Sequence, residues 1–115
     1  MENELQIIDA SIALVANNNN PTILNPDFLK YNAIIPSDWE LSTSPIVTEP
    51  FAQVSFKNAF QITSQFQKIV FSCNDFSEID LETIASTAKR YIETIYNVKY
   101  VALGFNPTFF SFRKN

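Results

Sequence analysis

Asp38-Trp39-Glu40 places two carboxylates around an indole. In an extended segment residues 38 and 40 share a side, so the pair could act as general acid and base on a sugar stacked against Trp39. The simpler reading is a tryptophan packed onto the fold with solvated acids beside it, and the sequence favours that. Cys73 ends a predicted strand on its apolar parity, which predicts a buried, inert thiol rather than a nucleophile. Tyr91, Tyr96 and Tyr100 lie near Lys89, Arg90 and Lys99 and could bind an anion. More simply, they form the stripe of a helix and its snorkelling edges.

Absent residue types narrow the chemistry further. The chain has no histidine, which removes the commonest general base, His-based nucleophile activation and most zinc and copper sites. It has one glycine, Gly104, where average usage of about 7% would give about eight. A phosphate-cradling loop needs several, so neither a P-loop nor a dinucleotide fingerprint fits. Asn74-Asp75-Phe76-Ser77-Glu78 lacks the alternating oxygen ligands and the turn glycine of an EF-hand. The sequence therefore predicts no catalytic residues, no cofactor and no metal, and the chain reads as a non-enzyme.

Charge points away from polyanions. Residues 1–50 hold seven acids against Lys30 alone, residues 51–115 hold five acids and seven bases, and the net charge is -4. No basic stripe is present to displace counterions, so neither nucleic acid nor an anionic membrane is an expected partner. The acidic start, Met1-Glu2-Asn3-Glu4, carries no export signal, and a single cysteine suits the cytoplasm. With 115 residues and 46% hydrophobic content, residues 1–115 are expected to form one domain with its own core.

The elements that must position these groups follow an α+β plan. Residues 5–16 predict a long first strand with apolar residues on both faces. Asn17–Asn20 and Pro21 end it. Residues 21–50 carry five of the six prolines and predict a long ordered connection with at most one helical turn, capped by Asn25. A three-strand meander follows, with Asn58-Ala59 as a two-residue hairpin turn and a second turn at 65–68. Residues 77–96 predict a helix whose apolar stripe runs through Leu81, Ile84, Ala85, Ala88, Tyr91, Ile92 and Ile95. Ser77 or Asp80 caps its start and Asn97 stops it. Residues 98–105 form a last strand before Asn106-Pro107 and an apolar tail. The result is an antiparallel sheet, β-long loop-βββ-α-β, with one main helix on one face. That helix covers only part of one face, so the other is expected to meet the proline-rich loop, a partner or water, and a second copy is the simplest cover.

Two resemblances bear on this plan. The strings Asn20-Pro21-Thr22-Ile23-Leu24-Asn25-Pro26-Asp27-Phe28-Leu29 and Ile35-Pro36 through Asp38-Trp39-Glu40-Leu41, with Pro50-Phe51-Ala52-Gln53-Val54 and Gly104-Phe105-Asn106-Pro107, resemble a group of small uncharacterised bacterial proteins of cyanobacterial type. That group has Asn-Gly at the hairpin where this chain has Asn58-Ala59, and no activity is attached to it. The element order is also similar to that of the export chaperone SecB, which implies an oligomer exposing apolar grooves to unfolded polypeptide. Apolar groups on irregular chain are the expected partner-binding residues: Phe28, Tyr31, Trp39, Phe109, Phe110 and Phe112. The chain is thus expected to be a cytoplasmic homo-oligomeric module that binds protein or peptide. The alternative is a small-molecule pocket between helix and sheet.

Overall fold

The computed structural model describes residues 3–17, 19–75, 79–95 and 98–113. Six antiparallel strands form one sheet in the order β2-β3-β4-β5-β1-β6. They are β1 (Asn3–Asn17), β2 (Ile46–Val47), β3 (Phe51–Ser55), β4 (Phe60–Gln65), β5 (Lys68–Cys73) and β6 (Lys99–Arg113). The main helix, α2 (Leu81–Thr94), follows the meander, and a short helix, α1 (Pro26–Tyr31), lies in the proline-rich connection. The fold is α+β, as the sequence predicts.

Alternation creates the sheet's two faces. On β3, β4 and β5 every second residue is buried, which is the period-2 signature of a strand with one covered side. Leu14, Val54, Phe60, Ile62, Ile69 and Phe71 are fully buried on that side. Removing each such side chain from water stabilises the fold by roughly 1.5–3 kcal/mol. Against them pack Ile84, Ala88 and Tyr91 of α2, Ile95 at its C-cap, and Leu24, Leu29, Ile34 and Ile35 of the connection. The proline-rich segment therefore lies on the same side as the helix and leaves the opposite face to solvent or a partner.

Local chemistry sets the helix ends. Asp80 Oδ1 accepts from the Thr83 backbone N–H at 2.9 Å, so Asp80 caps α2; Ser77 and Asn97 lie outside the described residues. Ala85 is exposed and Thr87 is buried in its place, a correction to the predicted stripe. Thr87 enters the core with its hydroxyl satisfied, donating to the Thr83 carbonyl at 2.8 Å. In the connection, Asn25 caps α1 by accepting from Phe28 N–H at 2.8 Å. A 3-10 turn at Pro21–Ile23 precedes it, so the segment holds more helical structure than the single turn expected.

Two further expectations are corrected. The β3–β4 hairpin closes over three residues, 57–59, with Phe56 N–H donating to the Phe60 carbonyl at 2.9 Å. Ala59, not Asn58, takes the left-handed conformation, with φ 71. The last strand also runs through Asn106-Pro107 to Arg113. Pro107 lies opposite Ala10 on an edge strand, where a missing donor is tolerated.

The β1–β6 pair outgrows the sheet. β5 pairs with β1 only from Ala10 to Val15, whereas β6 pairs with it from Asn3 to Asn17. Residues 3–9 and 108–113 thus form a two-stranded ribbon, which at about 3.4 Å per residue reaches about 24 Å beyond β5. The radius of gyration is 15.2 Å, against about 13 Å for a compact chain of this length.

Candidate functional site

Trp39 turns inward between its two acids. Its ring lies 5.2 Å from that of Phe60 and 5.4 Å from that of Phe56. Asp38 and Glu40 remain exposed. Glu40 Oε1 accepts from Lys57 Nζ at 3.0 Å, and the Lys57 backbone N–H donates to the Glu40 carbonyl at 2.9 Å. An open depression of about 390 Å³ is lined by Asp38, Trp39, Glu40, Lys57, Asn58 and Ile79. The hydrogen bond and charge of Lys57 hold the Glu40 carboxyl below its ordinary value. Lys57 thus favours the ionised form of Glu40, the opposite of the shift a general acid needs.

Cys73 is buried, and its thiol donates to the Asp75 carbonyl at 3.1 Å. Burial pushes its pKa up, which keeps the thiol protonated and unreactive. Tyr91, on the sheet-facing side of α2, is fully buried, and Phe71 meets it edge-on at 5.5 Å. The Tyr100 hydroxyl donates to the Ile95 carbonyl at 2.9 Å, satisfying the end of α2. Tyr96 lies outside the described residues. Among the described residues, no three His, Cys, Asp or Glu side chains are grouped to hold a metal, and no helix is long and apolar enough to cross a membrane.

The expected partner-binding residues go to different places. Phe28 is half-buried with its ring 6.4 Å from Tyr91, and Trp39 is half-buried as described. Tyr31 is 90% exposed on α1. The fold does not bring these three into one surface patch. Phe109 and Phe110 occupy ribbon positions opposite Ile7 and Gln6, and Phe112 lies opposite Glu4; their side chains lie outside the described residues.

A surface that residue types alone do not reveal is the uncovered sheet face. Its register forms rows across the strands. One runs Ser55, Gln61, Ser72, Ser11, and the next runs Ile46, Gln53, Thr63, Val70, Ala13, Gly104. A third holds Phe51 opposite Gln65 and Lys68 opposite Val15. Lys68, at one rim, is the only charge in these rows. Ser55 Oγ donates to Gln61 Oε1 at 3.1 Å, so part of the polar surface is satisfied within the face. Ile46 and Val15 remain exposed.

Compared with protein families, with curated proteins and with solved structures, the chain matches none.

Proposed function

We propose that this chain is a cytoplasmic homo-oligomeric module that binds protein or peptide, chaperone-like in the sense that the SecB-like element order implies. The ribbon of residues 3–9 and 108–113 carries this reading. A two-stranded ribbon is marginal in water by itself, and this one is written with Leu5, Ile7, Ile8, Phe109, Phe110 and Phe112. Such an arm gains stability when a second chain lies against it, either another copy or a captured polypeptide. The reading assigns no catalysis and no cofactor, and it involves neither nucleic acid nor membrane. A small-molecule pocket between helix and sheet has less support, because Tyr91, Phe71 and Ile84 fill that space and are fully buried.

Light scattering across a dilution series, with and without a reduced, carboxymethylated unfolded protein, tests the proposal. The expected result is a mass above one chain and capture of the unfolded protein. Both should weaken when the ribbon partners are changed together, Ile7→Asp with Phe109→Asp. A monomer at every concentration that captures nothing overturns the reading.

A further inference from the structure

We infer that the uncovered sheet face seats the same face of a second copy, sheet against sheet across a two-fold axis. This deepens the oligomeric reading above and rests on it. In a two-fold contact a surface meets itself, so a charge near the axis faces its own like. The chain carries net charge -4, yet the face's three rows hold Lys68 alone, at the rim. Apart from Lys68 at its rim, the face meets its own copy without like-charge repulsion, and depletion of charge is what separates the centre of an interface from other surface.

Gly104 supplies an independent observation. It is the chain's only glycine, its φ is not positive, and a Cβ built on it meets nothing within 4 Å. Neither backbone conformation nor packing within the chain requires a glycine there. It sits opposite Ala13 in the middle row, where both residues keep the face low. A low sheet surface charged only at its rim suits another sheet packed at about 10 Å with strands within about 30° of alignment. Five strands at about 4.8 Å and five residues at about 3.4 Å give a projected footprint of about 400 Å² per copy. That is modest beside the roughly 800 Å² per partner of a standard interface, so the association should reverse on dilution.

The test compares Gly104→Lys and Thr63→Lys with the unaltered chain by sedimentation and light scattering over a dilution series. Circular dichroism and the unfolding midpoint at low concentration report whether each monomer remains intact. Gly104→Lys has open space in the single chain, so it should fold normally. Each variant is expected to raise the midpoint concentration for dissociation at least tenfold. Mixing Thr63→Lys with Thr63→Glu chains should restore association. Variants that fold and associate like the unaltered chain overturn the face-to-face inference while leaving the oligomeric reading standing. An unaltered chain that is monomeric throughout overturns both, and the face is then solvated or takes a different molecule.

Discussion

The Ile34 backbone N–H donates to the Leu29 carbonyl at 2.9 Å, and both side chains are fully buried. With Ala33 N–H donating to the Lys30 carbonyl at 3.1 Å, this is a Schellman closure of α1 with its apolar contact in place. The closure requires a left-handed residue at position 33, and alanine supplies it with φ 54.

Replacing the two left-handed alanines should therefore stabilise the chain. Ala33 and Ala59 each carry roughly 1–2 kcal/mol of left-handed strain. Glycine removes it at a cost of roughly 0.4–1 kcal/mol in unfolded-chain entropy. Ala33→Gly and Ala59→Gly should each gain about 0.5–1 kcal/mol, read from chemical denaturation midpoints. Loss of stability in both variants would contradict the assigned turn geometries.

Asn19, just beyond β1, is fastened to the end of β4. Its side-chain amide donates to Ser64 Oγ and to the Gln65 carbonyl, each at 2.7 Å, and the residue is buried. Asn19→Ala leaves two acceptors short of a donor and should cost about 1–3 kcal/mol. Asn20 is exposed, and its side-chain oxygen accepts from the Thr22 backbone N–H and hydroxyl, so Asn20→Ala should cost less. Equal losses at the two positions would remove the special role assigned to Asn19.

These residues show what was legible in sequence. Period-2 alternation identified the meander, and the 3.6-residue stripe identified α2, because both are local and set by large side chains. Ala85 misled because a small apolar residue says little about a helix's rotation, whereas Thr87 is buried by satisfying its hydroxyl locally. Asn106-Pro107 reads as a stop, but β1 offers a partner along its whole length and an edge strand tolerates the proline. Four asparagines read alike as turn formers, yet only the fold distinguishes buried Asn19 from exposed Asn20. The Trp39 motif was legible, including its inward ring; its lysine partner was not, since Lys57 arrives through the β3–β4 hairpin. The uncovered face depends on which side the proline-rich segment takes, and no local pattern records that choice.

Asp80 makes the stability of α2 pH-dependent. The Thr83 hydroxyl and then its backbone N–H hydrogen-bond the carboxylate and lower the Asp80 pKa below its ordinary 3.8. A lowered pKa means the folded state favours the ionised form. Its contribution is full above the unfolded pKa and disappears as pH falls through the folded value. Denaturation midpoints measured down an acid series should fall in that range. Asp80→Asn, which keeps a capping oxygen, should flatten this part of the profile. An unchanged acid slope would assign the sensitivity to other carboxylates.

Tyr91 should show its effect at the alkaline end. Its hydroxyl is buried, and among the described residues no hydrogen bond of ordinary geometry reaches it. Burial, reinforced by Tyr100, raises its pKa far above the ordinary 10.0, and the nearby Ser64 hydroxyl, too poorly placed for a full hydrogen bond, opposes this more weakly. A raised pKa gives stability that is full below the unfolded value and is lost as pH rises towards the folded one. The native chain should thus lose stability above about pH 10 as unfolding frees the phenol to ionise. Tyr91→Phe keeps the ring against Phe71 and removes a buried polar atom, so near neutral pH it should gain about 1 kcal/mol. It should also weaken the alkaline loss, leaving the part due to half-buried Tyr100, whose pKa burial also raises. Phenolate absorbance followed alongside unfolding tests both points. A Tyr91→Phe variant less stable than the parent would mean that the hydroxyl does have a partner in solution.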